Sequence, residues 1–153
     1  MGYRSLAPYV WPIYAPWMAS SLGMSTLLVA LPIWLLGGGH GYVLTSMVAG
    51  AGGAGAAVGA LLVGNLVDRS GPARVAAGSL LLMVVASASM ALIGHVVVLG
   101  LGHLAFGMGS IGVMLSRQAD LTSRIPRYLR GRAMSVMGGS MRLSVLVGTV
   151  AGG

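Results

Sequence analysis

The stretch VAAGSLLLMVVASASMALIGHVVVLGLGHLAFGMGSIGVMLS, from Val75 to Ser116, contains 42 residues and none that carries a full charge. A helix needs about 20 apolar residues to cross about 30 Å of hydrocarbon, so the stretch has room for two spans joined by a tight turn. Gly94 lies near its middle, and glycine permits such a sharp reversal. The stretch therefore predicts two membrane-spanning helices.

Composition extends this prediction to the whole chain. Of the 153 residues, 56% are hydrophobic and only 7% are charged, whereas a soluble domain carries about 25% charged residues because water must wet its surface. Asp68 and Asp120 are the only acids, nine Arg are the only bases, and Cys is absent. These values exclude a disordered chain and a disulfide scaffold, and they indicate a membrane protein rather than a cytosolic enzyme.

The apolar segments on either side of this stretch predict three more spans. The run from Ser5 to Val67 is broken by glycines at 37–41, and a further apolar segment closes the chain. These segments are about twice as long as a membrane strand and lack its alternation of polar and apolar residues. The predicted fold class is all-α, a polytopic membrane protein with about five transmembrane helices. The predicted spans within the bundle 17–153 are residues 17–36, 42–65, 73–93, 96–116 and 133–153.

Residues 1–16 precede the first predicted span and mix three prolines with Tyr and Trp. Proline disfavours a regular helix, and Tyr and Trp favour the headgroup level, so these residues predict an interfacial lead-in. A cleavable signal peptide is the alternative. It is disfavoured because the apolar stretch after Trp17 is longer than the usual 7–15 residues and lacks an Ala-x-Ala-like cleavage site.

The arginines predict the orientation. Basic residues stay on the cytoplasmic side of a membrane, and seven of the nine arginines fall in two short segments. They are Arg69 and Arg74 before span three, and Arg117, Arg124, Arg127, Arg130 and Arg132 before span five. We therefore expect a multi-pass protein of the cell (inner or plasma) membrane, with the lipid bilayer around it, a cytoplasmic N-terminus and an external C-terminus. Because orientation accounts for the bases, no nucleic-acid partner is expected.

Two glycine patterns, at 50–55 and 107–112, match the dinucleotide-binding G-x-G-x-x-G. That motif binds a cofactor only between a strand and a helix N-terminus, and both copies lie inside predicted spans. Close packing of helices is the interpretation that the small residues favour. We expect no cofactor, and the few His and Asp leave no metal site and no catalytic pair. The predicted packing residues are Gly55, Gly59, Gly107, Gly109, Gly148 and Gly152.

The segment GNLVDRSGPAR, from Gly64 to Arg74, is the most specific motif in the chain. It resembles the G-x-L-a-D-r-x-G-r-k signature of the major facilitator superfamily, at the position where that family carries it, between spans two and three. The matching residues are Gly64, Leu66, Asp68, Arg69 and Gly71. Pro72 and Ala73 replace the two bases of the signature, and Arg74 follows them. The resemblance implies that this segment is a gating motif.

Three further segments resemble motifs of the drug exporters and antiporters in the same family. They are His103–Ser110, where His103 replaces an Arg, Ser144–Gly153, where Ser144 replaces a Gly and Thr149 a Pro, and Leu22–Pro32, where Gly23 replaces an acid. Each match alone is close to what glycine-rich apolar helices produce by chance. Their order around the inner loop strengthens the resemblance.

The family fold has twelve helices in two halves that rock around a substrate at the midplane. The resemblance therefore implies that these five spans are an N-terminal portion of a secondary transporter, truncated here, that exports a small-molecule substrate together with a missing C-terminal half. In it, Asp68 and Arg69 would latch the inward-facing gate, with Asp120 as a third charge. Because Pro72 and Ala73 replace the usual bases, Arg74 or Arg117 would take their place in the latch. A non-transporting membrane subunit that packs against another membrane protein is the alternative function.

Two polar residues lie inside predicted spans. His103 is a candidate for a group that titrates near neutral pH, or alternatively a neutral imidazole hydrogen-bonded to a neighbouring helix. Arg142 lies deep in span five, where a charge is expensive and hence functional by default. It is expected to bind an anionic substrate group, to pair with an acid elsewhere, or to extend towards the inner interface.

Overall fold

The structure, a computed structural model, describes residues 14–152. This part of the chain consists of five helices and contains no strand. All five are long and apolar enough to cross a membrane, which confirms the predicted all-α polytopic fold. The helices are α1 (Ala15–Gly37), α2 (Tyr42–Ser70), α3 (Pro72–Ile93), α4 (Val96–Arg124) and α5 (Arg127–Gly152).

The predicted interfacial lead-in falls almost entirely on residues 1–13, which lie outside the described residues. Within the described chain, the buried Tyr14 donates a hydrogen bond from its hydroxyl to the carbonyl oxygen of Ala133, at 3.2 Å. Burial raises the pKa of Tyr14, which keeps the phenol protonated as a donor. This contact joins the start of α1 to the first turns of α5.

Three helices run past the predicted ends of their spans. α2 and α4 each contain 29 residues, about 43 Å of helix, which exceeds the roughly 30 Å of hydrocarbon. α5 starts at Arg127, six residues before the predicted start of the fifth span. Charges mark where the hydrocarbon ends, but a helix needs only its own backbone hydrogen bonds and continues among the headgroups. Most of the charged residues therefore lie on helical turns rather than in loops.

The connections between helices are tight turns that depend on glycine and proline. Gly71, with φ +82° and ψ 153°, is the single residue between α2 and α3. Gly94 ends α3 in the left-handed conformation, with φ +63°. Pro126 separates α4 from α5, because proline disfavours helical geometry in the residue before it.

The chain divides into two compact units. One contains residues 14–30 and 117–152, hence most of α1, the end of α4 and all of α5. The other contains Leu31–Ser116, hence the end of α1, all of α2 and α3, and most of α4. In this second unit, α4 packs against both α2 and α3 through glycines.

Large apolar side chains cover the outside of the helices. Leu61 on α2 is 79% exposed and Leu92 on α3 is 85% exposed. Such a surface is unfavourable in water, whereas lipid tails solvate it at no cost. The exposed leucines and valines are therefore the surface that a bilayer would contact.

We expect Gly71→Ala to lower the stability of the chain by about 1–3 kcal/mol, because the backbone conformation of Gly71 belongs to a region that only glycine occupies readily. Thermal unfolding in detergent micelles measures this loss. Gly100→Ala is the matched control, since a Cβ there meets nothing within 4 Å and alanine favours a helix by about 0.5–1 kcal/mol over glycine. Equal melting temperatures for the two variants would contradict the prediction.

Candidate functional site

The motif Gly64–Arg74 covers the end of α2, the turn and the start of α3. The N–H of Gly71 donates to the carbonyl oxygen of Val67 at 2.9 Å, which closes the last turn of α2. Pro72 then opens α3 at a position whose N–H would have no helical partner in any case. The positive φ of Gly71 lets the chain reverse in one residue, so both helices end at the same level.

The polar residues of this motif point outward. Asp68, Arg69 and Arg74 are all exposed, and within residues 14–152 no ion pair joins Asp68 to either arginine. A Cβ on the exposed Gly64 would meet nothing within 4 Å, and Leu66 is 50% exposed. The motif thus offers one acid, two bases and a bare patch of helix to atoms outside the described chain.

Arg117 and Asp120, the predicted latch partners, lie near the end of α4 and are partly buried. The Asp120 carboxylate accepts a hydrogen bond from Nε of Arg124, one helical turn later, at 2.6 Å. An exposed pair at this spacing contributes about 0.3–0.5 kcal/mol. Asp120 is therefore partly neutralised within its own helix, unlike Asp68. These residues belong to the first compact unit, and Asp68 belongs to the second.

Glycines bring α2 and α4 into backbone contact. A Cβ at Gly55 would overlap the carbonyl group of Leu104, and a Cβ at Gly107 would overlap the carbonyl oxygen of Gly52. At Gly59 a Cβ would lie 2.9 Å from the backbone of α4. No larger residue fits at these positions without moving a helix. The two G-x-G-x-x-G patterns therefore lie on a helix–helix interface, where their amides are already used within the helices.

A second face of α4 packs against α3 in the same manner. A Cβ at Gly109 would lie 2.8 Å from the carbonyl oxygen of Ser79, and one at Gly112 would overlap the hydroxyl group of the same serine. A Cβ at Gly102 would lie 3.3 Å from the carbonyl oxygen of Ala86. One face of α4 thus packs against the backbone of α2, and a second face packs against the backbone of α3.

In the other unit, glycines join α5 to α1. A Cβ at Gly148 would lie 2.9 Å from the carbonyl oxygen of Leu22, and one at Gly152 would lie 2.7 Å from that of Thr26. The two glycines are four residues apart and hence on one face of α5. This interface lies in the part of α5 that resembles the antiporter motif.

His103 is buried at the α2–α4 interface. Its Nδ1 lies 2.8 Å from the carbonyl oxygen of Val48 on α2. A carbonyl oxygen only accepts, so Nδ1 carries the hydrogen and donates it to Val48. The ring lies directly over Gly52, where a Cβ would be 2.7 Å from Nε2. His103 therefore links two helices, and Gly52 makes room for the link.

Arg142 is exposed near the midpoint of α5, 15 residues after its first residue. Among residues 14–152 it forms no hydrogen bond and no ion pair. Gly138 and Gly139, about one turn earlier, are exposed as well. A guanidinium at this depth beside bare backbone is open to a charged or polar group from outside the described residues.

Some residues of these interfaces were not predicted from the sequence. They are Gly102 and the Val48 carbonyl that holds His103, whereas Gly52 and Gly112 belong to the two glycine patterns for which helix packing was expected. The spacing of three and four residues from Gly52 to Gly55 to Gly59 places all three on one helical face and is a usable signal. The Val48 carbonyl has no sequence signal, because every residue carries one.

The described residues contain no group of three His, Asp or Glu side chains that could hold a metal ion. Within this part of the chain, the arrangement consists of exposed charges at one turn, a buried imidazole between helices and a mid-helix guanidinium.

We expect Gly52→Ala and His103→Ala to be coupled. The added methyl displaces the imidazole and weakens its hydrogen bond to Val48, a bond worth about 0.6 kcal/mol and at most about 1.7 kcal/mol between membrane helices. With His103→Ala already in place, the same methyl meets less resistance, so Gly52→Ala should cost less by about 0.5–3 kcal/mol. A double-mutant cycle of unfolding free energies in detergent measures this coupling.

Gly53→Ala is the control for that cycle, because a Cβ there meets nothing within 4 Å. Its effect should be the same with His103 or Ala at position 103. Additive costs for Gly52→Ala and His103→Ala would mean that the imidazole does not occupy the space above Gly52.

Comparison with models of known protein families gives one match. The family model described as Major Facilitator Superfamily matches residues 2–149, nearly the whole chain, and members of that family are membrane transporters. No curated protein and no solved structure matches the chain. The match includes all of α2, the turn at Gly71 and all of α3, and the chain belongs to the Major Facilitator Superfamily.

Proposed function

We propose that the chain is part of a secondary active transporter that exports small molecules, with the α2–α3 turn as its cytoplasmic gating motif. The observation that carries this proposal is the geometry of Gly64–Arg74. Gly71 brings two helices to the same level, and Asp68, Arg69 and Arg74 stand exposed there without ion pairs among themselves. Charges held in this way are available to a second body that approaches the turn.

Alternating access needs two helical bodies that move against each other around a substrate site. Five helices supply less than the twelve of the family fold, so we propose that a second body completes the transporter. In the state open to the cytoplasm it would leave the turn, and in the state closed to the cytoplasm and open to the outside it would contact Asp68 and Arg69. Asp120, which pairs with Arg124, would contribute less to such a latch than Asp68.

The proposed orientation places the α2–α3 and α4–α5 turns in the cytoplasm. Seven arginines between Arg69 and Arg132 support it, because basic residues accumulate on that side. The opposite turns, at Gly38–Gly41 and at Gly94, carry none. The proposal accordingly puts the N-terminus inside.

Cysteine labelling tests this orientation in a chain without native Cys. We expect His40→Cys to react with a membrane-impermeant maleimide in intact cells, and Ser70→Cys to react only after the cells are opened. Ser70 is exposed and His40 partly exposed, so neither position is hidden by packing. Reaction of both cysteines from the same side would contradict the proposed topology.

Dye export tests the transport function. Cells that express the tagged chain would be loaded with cationic, neutral and anionic fluorescent amphiphiles, and their efflux would be compared with that of vector controls. We expect Asp68→Asn to slow efflux by about tenfold, the equivalent of a lost charge-assisted hydrogen bond of about 1.5 kcal/mol. Asp120→Asn is the matched control and should change efflux less than twofold, because its pair with Arg124 is worth under 0.5 kcal/mol.

A non-transporting membrane subunit is the second candidate function, and the exposure of Arg142 favours it. A partner that supplies an acid or a carbonyl group at the level of Arg142 would cover the guanidinium and the bare backbone at Gly138 and Gly139. Affinity purification of the same tagged chain distinguishes the two functions. A second polypeptide in equal amount, without efflux of any dye, would contradict the transport proposal and support the subunit.

A further inference from the structure

A groove of about 480 Å³ runs between α2 and α3. Its floor contains Val63, Val75 and Met108, and its walls contain Leu62 and Leu82. The two wall leucines are partly exposed, at 51% and 38%, so the groove is open to the surroundings of the helices. Its surface is almost entirely apolar, and it lies within the single compact unit Leu31–Ser116.

One end of the groove is polar. Ser70 and Arg74 line it at the α2–α3 turn, and Arg74 is the only charged residue among the described residues that line the groove. Arg74 is also the third residue of α3, close to the positive end of that helix. The positive charge of Arg74 therefore lies at one end of an apolar groove.

The length of the groove matches one leaflet of a bilayer. On α2 the lining residues extend from Ser70 back to Gly59, 11 residues or about 16 Å of helix. Half of the hydrocarbon core is about 15 Å thick. A molecule that lies along the groove with its polar group at Arg74 thus has the length and polarity of a lipid in that leaflet.

We propose that this groove binds an acyl chain of an anionic phospholipid, with the lipid phosphate on Arg74. Arginine binds phosphate through parallel N–H donors, and methyl and methylene groups of the chain fill the apolar floor. Gly78 gives the chain space, because a Cβ there would meet nothing within 4 Å. The site rests on the cytoplasmic placement of the turn in the proposed function, where anionic lipids attract basic residues.

A second helix is the competing occupant of the groove. A helix is about 10–12 Å wide with its side chains. An acyl chain is much thinner and is present wherever the protein is. The charge at the end of the groove also matches a phosphate better than an apolar helix.

Photolabelling in nanodiscs tests the proposal on the full chain. The discs contain phosphatidylcholine and a trace of phosphatidylglycerol with a diazirine on one acyl chain, and mass spectrometry maps the labelled residues. We expect label on residues 59–82, at about five times the level given by phosphatidylcholine with the same diazirine chain. This ratio corresponds to one basic residue near a membrane surface.

Matched variants locate the two parts of the site. Arg74→Gln should reduce phosphatidylglycerol labelling to the level of phosphatidylcholine, whereas Arg69→Gln, exposed on the same turn and outside the groove lining, should keep the preference. Gly78→Leu should fill the groove and remove the label for both lipids. Gly53→Leu, at another open glycine, should leave the labelling unchanged.

Three results would overturn the proposal. They are equal labelling by both lipids in the unchanged chain, a preference for phosphatidylglycerol that survives Arg74→Gln, and a covalent dimer formed through Leu82→Cys, which would place a second copy in the groove. Labelling in nanodiscs does not depend on transport or on the orientation of the chain, since both leaflets contain the probe. A failed efflux or maleimide experiment therefore leaves this test intact, and a failed lipid test leaves the transport proposal intact.

Discussion

Backbone contact between α2 and α4 is the constraint on which the larger unit of this protein depends. In lipid, two apolar helices gain no hydrophobic free energy when they associate, so they associate only where their surfaces fit closely. Here Gly55 and Gly107 have no side chain, so each can lie against a carbonyl group of the opposite helix. Because α4 repeats the arrangement against α3 through Gly109, three helices are fixed by contacts that tolerate no added atom. Only some of the 26 glycines in 153 residues serve this requirement, since a Cβ at others, such as Gly53 and Gly100, would meet nothing within 4 Å.

The short distance between α2 and α4 also determines which contacts the buried His103 can make. His103 reaches the Val48 carbonyl because Gly52 leaves space for the ring. Hydrogen bonds of this kind between side chains and neighbouring helices stabilise helix association in membranes. The bland interpretation of His103, a hydrogen bond between neighbouring helices, thus has a defined geometry, and any role in proton coupling would have to work through Nε2, which stands over Gly52.

The sequence predicted the helices better than it predicted their ends or their partners. Hydrophobic runs and arginine spacing reflect the thickness of the bilayer, so five helices were predictable, and residues 14–152 contain five. The continuation of α4 to Arg124 was not, because a helix does not stop where hydrocarbon stops. Gly71 was recognisable from its motif, since a one-residue reversal requires glycine. The partner of His103 and the internal pairing of Asp120 with Arg124 depend on three-dimensional placement and helical phase, which hydropathy does not encode.

The charges of the chain differ in how well their surroundings compensate them. Asp68, Arg69 and Arg74 are exposed at helix ends, where water and headgroups would solvate them, and Asp120 has Arg124 within its own helix. Arg142 has neither, because it is exposed near the middle of α5 and the described residues offer it no partner. A charge at the centre of a membrane helix costs about 2.5–3.5 kcal/mol, a cost that no contact within residues 14–152 offsets. Compensation would come either from a group outside them, such as a second helical body, a bound anion or water in a cavity, or from extension of the side chain towards the inner interface. The first three are features of a transport pathway or an interface, and they make α5, rather than the well-packed α4, the helix along which to seek a partner or a substrate.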